Sequence, residues 1–242
     1  MKIIWITALA VIMSACSSMH TSPITGVNDN AKFGVLVLID EAPTHVHTGT
    51  TAFQNFSQSK PTGTNYQRLV SDKVAQLLTT TGHETVALSA PPKLVSKRSD
   101  LFTYLSADIA FEDGVAQQLE QLAKENQLDY IITVYPKQSP AFRNSPDYVE
   151  GLGVFSYCNF GQCSMDVLTN LDARIYSSVT GMAMDAAAFT PYQRQVLEAV
   201  TLPEYPAQLE ETVIESAAQQ GVGVFIGQLS EMLQSAGMVS SV

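Results

Sequence analysis

Positive charge is what this sequence most lacks. Lys and Arg number 13 against 23 Asp and Glu, a formal net charge of −10, and the basic residues nowhere form a run. Nucleic-acid binding needs clustered Lys and Arg to displace counterions from phosphates, so the sequence argues against that class of partner. Cysteine is scarce too, with three in the chain, and none stands in a Cys-x-x-Cys pair that a second pair could complete into a zinc site. The Gly-x-Ser-x-Gly elbow of a nucleophilic hydrolase is missing. So is any Gly-Lys-Ser/Thr loop for phosphates, and Gly151-Leu152-Gly153 lacks the third glycine of a dinucleotide fingerprint. No apolar run approaches the roughly 20 residues that cross a bilayer as a helix. These absences point to a protein that binds, with no cofactor implied, and not to an enzyme.

What is present begins at the amino terminus. Lys2 supplies a positive charge, residues 3–13 are apolar apart from Thr7, and Ser14-Ala15-Cys16 follows. Charge, short apolar stretch and small residues describe a removable export signal. Met13-Ser14-Ala15-Cys16 resembles the lipobox of bacterial lipoproteins, with Met13 where leucine is usual. The resemblance implies that residues 1–15 are a signal peptide and that Cys16 carries a diacylglycerol and an amide-linked acyl chain. Two or more chains hold a protein stably on a membrane, each buried CH₂ contributing ~0.8 kcal/mol. Ser17 stands where an aspartate would retain a lipoprotein at the inner membrane. The resemblance therefore implies the outer membrane, with the domain facing the periplasm. Residues 16–32, rich in Ser, Thr, Pro and Gly, read as a tether.

Residues 33–242 read as a single α/β domain, 45% hydrophobic residues and 15% charged being the composition of a packed protein. Cys158 and Cys163 bracket Asn159-Phe160-Gly161-Gln162, and an even pair in an exported domain is most simply a disulfide.

Residues 33–39 are continuously apolar, as expected of a strand covered on both faces. Residues 44–56 read as extended chain with a hairpin around Gly49. Tyr66, Leu69, Val70, Val74, Leu77 and Leu78 recur at helical spacing after a cap at Thr64 or Asn65, with Gly82 ending the helix. A strand over 83–88 stops at Pro91-Pro92. Residues 99–107 suggest a short helix, 113–126 a longer one and 129–135 a third strand. After a polar loop over 136–146, residues 151–157 and 165–178 read as antiparallel strands joined through the cysteine loop, and 182–189 as a further strand. A final helix spans about 206–236, where Leu209, Val213, Ala217, Gly221, Phe225, Leu229 and Leu233 form one stripe. Gly221, Gly223 and Gly227 either allow close approach to the sheet or break that helix.

The fold class is α/β: a two-layer or three-layer sandwich on a mixed sheet, with a β-α-β-α-β start, an antiparallel meander and a long C-terminal helix. This order of elements resembles small periplasmic α/β modules of the TolB amino-terminal, LpoB, FlgO and CsgG type. The resemblance implies a protein-binding or scaffolding module of the cell envelope, whose partners are the bilayer, through acylated Cys16, and another envelope protein.

Two further groups stand out. His45 and His47, two residues apart on a strand, share a face and could offer two imidazoles to a metal, although no third ligand is identifiable. Thr50, Thr51, Phe53, Asn55 and Phe56 combine hydroxyls, an amide and aromatics that could line a ligand or partner groove, or simply anchor a loop. A periplasmic small-molecule or metal-binding protein is thus the alternative expectation, and a hydrolase the third.

Overall fold

A computed structural model of the chain describes residues 27, 30–105, 108–112, 114–141, 148–180, 183–184, 195–197 and 200–239. Cys16 and the expected signal lie outside the described residues. In chain order the elements are β1 (Lys32–Val37), β2 (Thr44–Thr48), β3 (Phe56–Ser59), α1 (Tyr66–Thr79), β4 (Glu84–Leu88), α2 (Pro92–Ser96), β5 (Phe102–Leu105), β6 (Asp108–Phe111), α3 (Val115–Asn126) and β7 (Tyr130–Pro136). Then come β8 (Ser139–Pro140), β9 (Tyr148–Val149), β10 (Gly151–Asn159), β11 (Gln162–Ser177), β12 (Ala183–Met184), β13 (Gln195–Val196) and α4 (Glu211–Ser235). The fold is a curled, mixed α/β sheet with helices, as the apolar periodicities indicate.

One long strand organises the sheet. The first half of β11 pairs antiparallel with β10, from Asn159↔Gln162 to Gly151↔Asn170. Its second half pairs antiparallel with β7, from Pro136↔Leu171 to Tyr130↔Ser177. Lys137 N donates to Asn170 O at 2.9 Å, and Asn170 is also the register partner of Gly151. The chain therefore leaves the ladder after Lys137 and rejoins it at Gly151. A similar break separates β1, parallel to β7 and β4, from β2, parallel to β10. β3 closes one edge of the sheet on β2, and β4 the other on β1.

Burial follows this division. Along β1, Phe33, Val35 and Val37 pack with α1 and α4. Leu36, with Leu38 just beyond the strand, packs on the opposite face with Leu94 of α2 and Leu119 of α3. That double cover accounts for the continuous apolar run. Around β10 the cover is thinner. Val154, Met165 and Val167 meet Ile214 and Ala217 of α4, while Phe155 and Leu168 on the other face meet no helix but a small cluster of Val149 and Ala141, with Val46 and Tyr157 at its edge. The expectation of two or three layers is met by both, one in each half.

Local signals mostly hold. Asn65 Oδ1 accepts from Arg68 N at 2.9 Å and so caps α1. α4 is unbroken, and Gly221 is where it approaches the sheet most closely: a Cβ there would lie 2.5 Å from Thr169 Oγ1 and 3.3 Å from Leu168 O. Two local expectations change. The helix expected over 99–107 is replaced by β5, paired with β6. Phe102, Thr103 and Tyr104 favour extended backbone, and the hairpin supplies their ladder. Pro92 does not merely end a strand; it occupies the first turn of α2, where its missing N–H costs nothing. Of the expected strand over 182–189, Ala183 and Met184 pair with β11, and the rest lies outside the described residues.

Candidate functional site

The hairpin of β2 and β3 carries most of the residues singled out by sequence, and its alternation sorts them. His45 and His47 point to the face that α4 covers, whereas Thr44 and Val46 point to the other. Ser156 of β10, the register partner of His47, lies between the two histidines. His45 Nε2 is 2.8 Å and His47 Nδ1 2.7 Å from Ser156 Oγ. All three are buried, His45 and Ser156 completely. Phe56 closes the group, stacked on His47 at 5.2 Å and edge-on to His45 at 5.0 Å.

One hydroxyl has one proton, so Ser156 donates to one ring and accepts from the other. His45 Nδ1 is buried with no hydrogen-bond partner among the described residues. The arrangement that strands no N–H there has His45 Nε2–H donating to Ser156, and Ser156 O–H donating to His47 Nδ1. Both rings are then neutral. Burial, the neighbouring His47 and the charge of Lys60 together bring the pKa of His45 down to about 4. Burial also lowers that of His47. Among the described residues no three His, Cys, Asp or Glu side chains converge, and one nitrogen of each ring already faces Ser156. The contact of Ser156 with two imidazoles has the residue types of a nucleophile and base. Its hydroxyl is nevertheless sealed beneath the hairpin, and the group acts as a hydrogen-bonded staple between β2 and β10.

Thr50, Thr51, Phe53 and Asn55 form a self-braced turn, with a 3₁₀ segment over Ala52–Gln54. Gly49 N donates to Asn55 Oδ1 at 2.9 Å, and Thr51 N to Gln54 Oε1 at 3.2 Å. This turn meets the cysteine loop. Thr50 Oγ1 donates to Cys158 O at 3.4 Å and accepts from Phe160 N at 3.2 Å. Cys158 and Cys163 are register partners across β10 and β11 and form the expected disulfide. The result is a double-loop tip, one loop of which presents Phe53, fully exposed, and the other Phe160, 88% exposed. It is a projection, not a groove. Neither 49–56 nor 157–164 contains a charged residue.

A concavity lies elsewhere, on the Thr44 and Val46 face of the hairpin. This cleft, of about 340 Å³, sits where β1 gives way to β2 and β7 to β10. Asp40, at its rim, accepts from both terminal nitrogens of Arg98, Nη1 and Nη2, at 2.5 and 2.9 Å. That pairing, and more weakly the charge of Glu150, raises the Arg98 pKa above its ordinary value.

Sequence reasoning missed Ser156 and Phe160. Ser156 was marked by period two, since it shares a strand face with Val154; Phe160 was marked as an aromatic in a turn of polar residues. No family model and no curated protein sequence matches the chain. Among solved structures, a hypothetical protein of Chlamydia trachomatis aligns over 84% of this chain and 98% of its own. The identity is 8% and the TM-score 0.33, too slight to transfer a function.

Proposed function

We propose that this chain is a lipid-anchored outer-membrane protein whose periplasmic domain binds another envelope protein through the double-loop tip. The observation that carries the reading is the tip itself. In a chain of net charge −10, two loops without a charge are joined by hydrogen bonds through Thr50, one of them closed by a disulfide, and each carries an exposed phenylalanine. Exposed rings held on a braced turn lose little further freedom on binding, which favours them as interface anchors. The tip also lies at the far end of β11 from Ser177, which pairs with Tyr130 beside the start of β1. The contour between them is about 50 Å at ~3.3 Å per residue. The point where the chain enters the fold, at residue 32, therefore lies toward the opposite end of β11 from the tip. The disulfide suits an oxidising compartment, and no helix among the described residues is long and apolar enough to cross a membrane.

The test has two parts. Intact mass and fractionation of the native protein and a Cys16→Ser variant report acylation, which should vanish together with membrane association in the variant. A photo-crosslinking residue at position 53 or 160 should give one discrete protein adduct in intact cells. The same group at Val179, 83% exposed just beyond the other end of β11, should give none. Equal labelling from all three positions, or none from the tip, refutes the tip as the binding surface.

A further inference from the structure

The geometry points to a second binding site, for a small organic cation with an apolar body, in the cleft where the two strand lines break. The volume of about 340 Å³ falls within the range of small-molecule pockets. Its apolar lining on this face is Val149, which is buried, with Ala42 and Val46, which are half-buried. Its walls are held by backbone ladders, β3 on one side and the returning β9 and β10 on the other.

The rim selects the charge of the occupant. Among the described residues no Lys, Arg or His lines the cleft, whereas Asp40 and Glu150 both do. Arg98 engages Asp40 through both carboxylate oxygens and so neutralises it. Glu150 has a different partner, the uncharged amide of Gln138, whose Nε2 donates to Glu150 Oε2 at 3.1 Å. Among the described residues one cation thus serves two carboxylates, which leaves their part of the rim a negative charge. An anion entering would be desolvated against that charge with nothing to offset it, and a neutral guest would leave it unmatched. A cation completes the pair.

A separate feature selects the same charge. Tyr148 stands two residues before Glu150, lines the same cleft and is 62% exposed. An aromatic face beside a carboxylate favours an ammonium or related group. The hydroxyls of Ser57 and Ser59, which also line the cleft, can accept from its N–H groups. The hydrocarbon part of such a guest would then rest on Val46 and Val149.

The test uses three probes of one shape and different charge: phenethylammonium, 2-phenylethanol and phenylacetate. Titration calorimetry on the full-length protein in non-ionic detergent should rank the ammonium at least about tenfold above the alcohol, with phenylacetate weakest. Added salt should weaken the ammonium alone. Glu150→Gln, which keeps an amide-bonding partner for Gln138 and should melt where the native protein does, should bring the ammonium down to the level of the alcohol. Tyr148→Leu should weaken the ammonium severalfold and leave the alcohol nearly unchanged. Equal binding of amine and alcohol overturns the proposal. So does amine binding that survives Glu150→Gln, or the failure of all three probes to bind at millimolar concentration.

Discussion

The two halves of the sheet differ in what covers them. Around β1 and β7, helices lie on both faces: α1 and α4 on one, α2 and α3 on the other. Around β2 and β10, α4 covers one face, and the other carries a small cluster of Ala141, Val149, Phe155 and Leu168. The staple of His45, Ser156 and His47, the disulfide-braced tip and most walls of the cleft belong to this second half. Strands covered twice bury enough apolar surface to define their own geometry. Strands covered once need side-chain hydrogen bonds and a covalent bridge, and they leave surface free for binding. On the proposed function the first half is the base and the second the working end, joined by β11 and α4, which run through both.

The largest test of that division is a charge placed in the shared helix. Leu229 of α4 is completely buried in the cluster around β1 and β7. Leu229→Asp buries an unpaired carboxylate, at a cost of several kcal/mol, comparable to the whole stability of many domains. The expected result is cooperative unfolding of both halves, seen as loss of far-ultraviolet circular dichroism and of any melting transition. Native-like amide signals retained over 44–59 alone would mean that the working end folds independently, and the comparison would need redrawing.

Acid should separate the halves more gently. His45 has a pKa of about 4 in the folded protein against about 6.5 when exposed. Between those values the unfolded chain binds the extra proton, so stability is level above pH 6.5, falls as pH drops from 6.5 to 4, and levels again below as far as this group is concerned. The loss is about 3 kcal/mol at 1.36 kcal/mol per pKa unit, and the lowered pKa of His47 acts in the same direction. Both rings sit on β2, so hydrogen exchange, corrected for its intrinsic pH dependence, should show β2 and β3 losing protection before β1 and β7. Uniform loss across all four strands would place the acid-sensitive groups elsewhere.

The base was more legible than the working end, for physical reasons. Phe33 to Ile39 announces a doubly covered strand because both alternating faces are apolar. Asn65 announces α1 because its side chain satisfies a free N–H within three residues. These signals are local. By contrast, β2 pairs with β10 more than a hundred residues later, and no local pattern names that partner. The shared face of His45 and His47 followed from period two, but its burial against Ser156 did not. Thr50 to Phe56 stood out by composition, yet whether it formed a groove or a projection depended on Phe160 and Cys158. The strand over 102–105 was hidden because its ladder is supplied by a neighbour.

The smallest test concerns how closely the shared helix must approach the working end. Alanine gains up to about 1 kcal/mol over glycine inside a helix. Gly223 has no atom near the position its Cβ would take, so Gly223→Ala should realise most of that gain. Gly221 is different. Its Cβ would meet Thr169 Oγ1 at 2.5 Å, Leu152 Cδ2 at 3.2 Å and Leu168 O at 3.3 Å, groups on β10 and β11 where the two halves join. The hydroxyl can rotate away, but the Leu168 carbonyl is backbone and must move with its strand. Gly221→Ala should therefore forfeit the helix gain and destabilise by about 1–3 kcal/mol, the usual cost of overpacking. Chemical denaturation of the two variants measures both signs in one experiment. A stabilised Gly221→Ala would mean that α4 can lift from the β10 side without cost, and that the helix belongs to the base alone.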